Sequence, residues 1–341
     1  MDLGSVMIMA IGGVVALAAA GGALWYQTEQ AKRRDAVWRS IAATRQGRYT
    51  EGHMGLLTSE SPTLDVIVEQ AVVRLDLLAV QSGKNKQLYA RARAKYALGQ
   101  GPAFEVKPEG VLQSVGKAFG GQDVVLGGDT RFDDEFVVKC ADAEATRAAW
   151  TPEAKRLMTS TLDFSKVEAD GAAVVITTYG GLDDPTMLNA MLDVAGALAS
   201  TGARALATYR SIEGAEWTPC KGPFASPTSP RLTVGSTRGE VAVEVLVTGG
   251  RPRARLRIRH ERATPPFSVD IEGPHAPGLP RGLVSERANE MLKRLSGVTL
   301  AGDASTLQIT WREPPPADVL ELGVRAIVEL AGGAPSGGAF R

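Results

Sequence analysis

Phe104-Glu-Val-Lys-Pro-Glu-Gly110 and Phe267-Ser-Val-Asp-Ile-Glu-Gly273 follow one pattern, F-x-V-x-x-E-G. A match this short means little alone, but its surroundings agree. Ahead of each motif runs an alternating basic stretch, YARARAKY at 89–96 and ARLRIRHER at 254–262. Further ahead, AVVRLDLLAV (71–80) parallels EVAVEVLVTG (240–249), and Ser61-Pro-Thr-Leu64 parallels Ser229-Pro-Arg-Leu232. Behind the motif, TPEAKRLM (151–158) resembles SERANEML (285–292), and Ile176-Thr177 resembles Ile309-Thr310. Each copy then closes on an apolar helical pattern, PTMLNAMLDVAGALA (185–199) and ADVLELGVRAIVELA (317–331). So many matches in one order make an internal duplication.

The local patterns give each copy its elements. Residues 63–70, 71–80, 87–97, 103–107 and 172–179 alternate or carry β-branched side chains, so they predict strands. QSGKNK (81–86) is a polar, glycine-containing hairpin connection. Thr151-Pro152-Glu153 opens a helix with a hydroxyl cap, a first-turn proline and an early acid. Residues 185–199 place apolar side chains at helical spacing. The body is therefore expected to be α+β: two tandem repeats of antiparallel sheet covered by helices.

An uncharged run from Leu3 to Thr28 precedes the body. It is long enough for a transmembrane helix across a hydrocarbon core of about 30 Å, and Trp25-Tyr26 would close it at the interface. A cleaved signal peptide fits less well, because the only charge ahead of the run is Asp2. The expected organisation is an anchor at 1–28, a helical stalk and linker at 29–60, and a first repeat at 61–200. A linker at 201–228, a second, shorter repeat at 229–332 and a disordered tail at 333–341 follow. Lys32, Arg33, Arg34 and Arg39 flank the span on its C-terminal side, which predicts the inner membrane with a cytoplasmic body; a periplasmic body is the alternative. Gly12, Ala16 and Ala20 share one helix face and are candidates for helix–helix contact in a homodimer.

The first copy carries an insert, Gly110 to Asp142, that the second replaces with GPHAPGLPRGL. Inside it, Gly128-Asp129-Thr-Arg-Phe132-Asp133-Asp134-Glu135-Phe136-Val-Val138 reads G-D-x-x-F-D-x-x-F-x-V and precedes the T-P-E helix. Over residues 125–200 this resembles a class of bacterial membrane-anchored proteins of unknown function. The resemblance implies an envelope-associated protein and brings no catalytic residues.

The composition narrows function. Lys plus Arg and Asp plus Glu both number 38, so the formal net charge is zero, which disfavours nucleic acid as a partner. Two cysteines, Cys140 and Cys220, are too few for a disulfide scaffold. His53, His260 and His275 fall in no metal spacing. The acids Asp129, Asp133, Asp134 and Glu135 lack the alternation and central glycine of a calcium loop. No nucleophile elbow, phosphate loop or dinucleotide fingerprint occurs, so no catalytic, cofactor or metal residue is assigned.

One surface feature is left. Arg251, Arg253, Arg255, Arg257 and Arg259 alternate along one strand and share one sheet face. Glu240 and Glu244 lie across the hairpin and could make this an ordinary solvated face. Alternatively, the row meets an acidic protein or anionic lipid. The expected function is thus a non-enzymatic interaction or scaffold protein of the bacterial cell envelope, with the lipid bilayer and a protein as partners. The alternative is an enzyme or ligand-binding domain with its site between the two repeats.

Overall fold

The computed structural model describes residues 28–54, 59–82, 85–109, 122–236, 238–248, 251–260, 266–272 and 284–332, with Gly22, Trp25 and Tyr26. The first copy opens with helix α1 (residues 28–44) and strand β1 (Arg48–Thr50). A short ribbon, β2 (His53–Met54) with β3 (Ser59–Glu60), leads to β4 (Thr63–Val68), β5 (Ala71–Ser82), β6 (Asn85–Lys95) and β7 (Ala103–Pro108). The insert supplies β8 (Gln122–Asp123), α2 (Thr130–Glu135), β9 (Phe136–Cys140) and α3 (Ala143–Ala149). Helix α4 (Pro152–Thr161), β10 (Lys166–Asp170), β11 (Ala173–Tyr179) and α5 (Pro185–Ala199) close this copy. The second copy runs through α6 (Thr201–Ala207), a 3-10 turn (Thr208–Ser211), β12 (Ala215–Thr218), β13 (Arg231–Ser236) and β14 (Gly239–Thr248). It continues with β15 (Arg251–Arg259), β16 (Phe267–Ile271), α7 (Glu286–Lys293), β17 (Val298–Gly302), β18 (Thr306–Trp311) and α8 (Ala317–Gly332).

Two antiparallel sheets result. Strand order is β1-β4-β5-β6-β11-β10-β7-β9-β8 in the first and β12-β13-β14-β15-β18-β17-β16 in the second. The stretch from β4 to β7 and the stretch from β13 to β16 repeat one order. The F-x-V and Ile-Thr matches coincide in register, whereas 71–80 and 240–249 correspond one residue away from the sequence match, Asp76 taking the place of Glu244. Arg91 stands opposite Asp76 and Thr177, and Arg255 stands opposite Glu244 and Thr310. Phe104 faces Ala169, and Phe267 faces Gly302, at corresponding places on the neighbouring strand. Thr151 and Ser285 cap α4 and α7 by accepting the backbone N–H of Ala154 and Ala288, each at 3.1 Å.

Each sheet buries one face under its helices. In the first copy the strands offer small side chains there, Ala90, Ala92 and Ala94, and α5 fills the space with Leu188, Met191, Leu192 and Leu198. The second copy reverses the sizes. Leu256, Ile258 and Trp311 rise from the strands, and α8 answers with Gly323, where an added Cβ would sit 2.4 Å from the Trp311 ring and 3.0 Å from Leu256. Helix α5 makes a like approach at Gly196, where an added Cβ would sit 2.4 Å from Val68, so each helix meets its sheet through one glycine.

The expected N-terminal transmembrane helix is corrected. Among the described residues no helix is long and apolar enough to cross a membrane. Apart from Gly22, Trp25, Tyr26 and Thr28, the run from Leu3 to Thr28 lies outside the described residues, and so do Gly12, Ala16, Ala20 and the tail 333–341. The helix that is described, α1, carries Glu29, Lys32, Arg33, Arg34, Asp35 and Arg39, charges that a hydrocarbon core resists. Its apolar stripe turns to protein instead. Trp38 is fully buried and donates its indole N–H to the Leu182 carbonyl at 3.0 Å, with Ile41 and Ala42 buried beside it. Arg45 then forks onto both Asp193 oxygens at 2.6 and 2.9 Å.

The second copy opens in the same way. Tyr209, in the 3-10 turn, is buried and donates its hydroxyl to the Pro315 carbonyl at 2.8 Å, as Trp38 does to Leu182. The stretch expected as a linker at 201–228 therefore contains α6 and β12, and β12 pairs with β13 as β1 pairs with β4. Only the part beyond Thr218 is a connector.

Two substitutions test this packing. Trp38→Ala should destabilise the fold by about 3–5 kcal/mol, the cost of emptying a large aromatic site. Gly323→Val should cost about 1–3 kcal/mol by forcing α8 away from Trp311. Urea denaturation midpoints check both; an unchanged midpoint for Trp38→Ala would mean that α1 is not part of the folded body.

Candidate functional site

The face of each sheet that carries no helices is polar, and its centre is one constellation written twice. In the first copy the Asp76 carboxylate takes Arg91 on both oxygens at 2.7 and 3.1 Å and Arg93 at 2.5 Å. Asp76 is buried although it points away from the core, because the two arginine arms lie over it. In the second copy Glu244 holds Arg255 at 2.7 Å through Nε, with Nη2 also bonded, and Arg257 at 3.2 Å. A carboxylate on one strand thus clamps two arginines two residues apart on the next, which lie on the same face.

The surroundings of this clamp differ between the copies. On the first sheet two further acids, one on β4 and one on β7, hold cations of their own. Asp65 binds Arg74 at 2.7 and 2.8 Å, and Glu105 binds Lys107 at 2.8 Å and Lys166 at 3.0 Å. On the second sheet the corresponding positions are Thr233 opposite Ala242, and Ser268 opposite Ala301. One carboxylate, Glu244, therefore serves Arg255 and Arg257. Arg253, Arg257 and Arg259 are exposed and Arg255 is half-buried. No side-chain ion pair reaches Arg253 or Arg259 among the described residues. Arg251 extends the strand opposite Thr248, and its side chain lies outside those described.

A second feature went unread in the sequence. The connector between β12 and β13 crosses the polar face of the first sheet. Phe224 lies over three cations, with its ring centroid 4.8 Å from Arg74, 5.6 Å from Arg93 and 5.8 Å from Lys95. Lys95 donates to the Ala225 carbonyl at 3.3 Å, and the Cys220 amide donates to Gln70 Oε1 at 3.1 Å. Two open grooves flank this strap. One, of about 440 Å³, is bounded by Gln70, Lys95, Tyr96, Cys220 and Pro227. The other, of about 490 Å³, is bounded by Leu98, Pro230, Arg255 and Arg257 and also by the acids Glu240 and Glu244. The first contains no acid or histidine, and its Cys220 is a free, buried thiol whose pKa burial pushes up.

The remaining sequence candidates have structural employment. Asp129 caps α2 by accepting the Phe132 amide at 3.2 Å, and Asp133 accepts the amides of Leu126 and Gly127, each at 3.0 Å. Phe132 and Phe136 stack at 5.1 Å, and Phe132 also meets Trp150 at 5.1 Å. The G-D-x-x-F-D-x-x-F-x-V signature is thus a capped turn nailed into the core. His260 is buried, with Nε2 3.0 Å from the Asp303 carbonyl, in the place that Tyr96 holds in the first copy.

No protein-family model and no curated protein matches the chain. The crystal structure of the mycobacterial trehalose monomycolate transport factor A, TtfA, is similar over 50% of this chain and 93% of that chain, at 9% identity and a TM-score of 0.33. A likeness at that score carries no argument about fold or function.

The charge ladder of the first sheet has a pH signature. Burial raises the Glu105 pKa, but hydrogen bonds from Lys107 and Lys166 outweigh it, so the carboxyl ends below its usual range. A depressed carboxyl pKa stabilises the fold above the unfolded value of roughly 4.3, and that contribution fades as pH falls through the folded value. The stability lost in Glu105→Gln should therefore be full near neutrality and shrink below about pH 4. Chemical denaturation of both proteins across that range measures it; a gap that widened in acid would contradict this account of the site.

Proposed function

We propose that this protein is a non-enzymatic interaction module of the bacterial cell envelope that docks an acidic protein partner on the polar face of its second sheet. The observation that carries this reading is the contrast between the two clamps. The first sheet sets Asp65, Asp76 and Glu105 among its cations, whereas on the second Glu244 holds Arg255 and Arg257, Glu240 lines the same groove, and no side-chain ion pair reaches Arg253 or Arg259 among the described residues. Arginine suits such a role because its planar fork binds carboxylates in pairs at small desolvation cost. A row with more cations than acids also steers an oppositely charged partner to the face. The envelope setting draws on the resemblance of residues 125–200.

A second reading, a small-ligand site between the copies, is favoured by the grooves beside the connector, whose volumes fall within the range of ligand pockets. The acidic-partner reading is preferred because it uses a feature in which the two copies diverge.

The test uses a fluorophore-labelled oligoglutamate peptide as the acidic probe and reads anisotropy. Wild-type protein should bind it at low salt and release it as salt rises. Changing Arg253, Arg257 and Arg259 together to Glu should weaken binding by about tenfold or more, with an unchanged denaturation midpoint. Equal binding by the wild type and the reversed variant would end this proposal.

A further inference from the structure

The duplication offers an internal experiment on what this face binds. The first copy shows its cation row occupied, and the occupant is a piece of the protein's own chain. The second copy shows the corresponding row without one.

The correspondence is set by strand register. Asp76, Arg91 and Arg93 occupy the places of Glu244, Arg255 and Arg257, and Lys95 occupies the place of Arg259. On the first sheet the Phe224 ring lies 4.8 Å from Arg74, 5.6 Å from Arg93 and 5.8 Å from Lys95, and the second sheet keeps counterparts of the last two. The ring sits at the tip of a turn, closed by the Ser226 amide donating to the Pro223 carbonyl at 3.1 Å and by the bridge between Lys221 and Thr228, and the strap gives Lys95 a backbone carbonyl. On the second sheet Arg257 and Arg259 are exposed, and no aromatic ring lies over either among the described residues. Two further differences widen the space there. Arg74 becomes Ala242 and Asp65 becomes Thr233, so a salt bridge that walls the first row is replaced by two small uncharged side chains.

We infer that the second sheet takes an exposed turn of a partner protein in which an aromatic side chain sits among acidic residues. The ring stacks on Arg257 and Arg259 as Phe224 stacks on Arg93 and Lys95, and the acids meet Arg253 and the unshared donors of Arg255. The aromatic requirement follows from the physics of the occupied copy: guanidinium and ammonium groups shed little hydration against a ring face and gain from its quadrupole. The acidic requirement follows from charge, since Glu240 and Glu244 together cannot neutralise Arg253, Arg255, Arg257 and Arg259. This inference rests on the acidic-partner reading above and adds the aromatic to it.

Three peptides on full-length protein separate the two claims: a Glu/Ser peptide with one central Phe, the same peptide with Ala at that place, and a Gln/Ser peptide keeping the Phe. The Phe-bearing acidic peptide should bind about tenfold more tightly than its Ala counterpart, the size expected for one partly desolvated cation–π contact. That advantage should vanish in Arg257→Gln/Arg259→Gln, whose exposed positions leave the fold intact. Equal binding of the two acidic peptides would overturn the aromatic inference and leave the acidic-partner reading standing. Binding of neither would overturn both. Sedimentation of the wild type, but not of the Arg257→Gln/Arg259→Gln protein, with vesicles of phosphatidylglycerol and phosphatidylcholine, uncompeted by the peptides, would overturn the inference in favour of a lipid surface.

Discussion

A strand has two faces, and in this protein the helices cover only one of them. The side chains of β6 and β15 therefore alternate between a packed interior and an uncovered plane. On that plane the governing interaction is a carboxylate held between two arginines, Asp76 with Arg91 and Arg93, or Glu244 with Arg255 and Arg257. The clamp ties the second strand of each copy to the third, at the place where sheet register is set. A slip of one residue would turn the arginines inward and Ala92 or Leu256 outward. Burying the Asp76 carboxylate would be costly without its partners, so the pair must stay together once the sheet has formed.

The same alternation explains how much of the fold could be read in advance. The F-x-V motif, the basic runs and the isoleucines at 176 and 309 fall in register because each is fixed to a face with period two. Helix openings were legible for a similar reason, since Thr151 and Ser285 do local work as caps. The copy boundaries were not. An amphipathic helix following an uncharged, glycine-rich run and bearing four basic residues reads as a juxtamembrane stalk, and only tertiary structure reveals that Trp38 is buried against Leu182. Tyr209 was hidden in the same way. Its value lies in one hydrogen bond to Pro315, which no local pattern announces.

The candidate site divides along the same line. That the arginines of β15 share a face follows from spacing alone, whereas whether they are neutralised depends on residues brought beside them by pairing. Thr233 and Ala242 look unremarkable in sequence, and they acquire meaning only as the counterparts of Asp65 and Arg74. Phe224 was harder still. A lone aromatic in a Gly-Pro-Phe-Ala-Ser-Pro stretch carries no periodic signal, and its target is contributed by β5 and β6 of the other copy.

Duplication explains why a protein can hold both versions. With two copies, the first can keep its ladder of Asp65, Arg74, Asp76, Arg91, Arg93, Glu105 and Lys166 and accept the connector across it. The helix-side core sustains the fold of the second, as the close approach of Gly323 to Trp311 illustrates. Its flanking charges can then be lost to Thr, Ser and Ala without unfolding it, because surface ion pairs contribute little to stability. What those losses change is the field above β15. The packed face keeps the fold, and the polar face becomes free to diverge toward a partner.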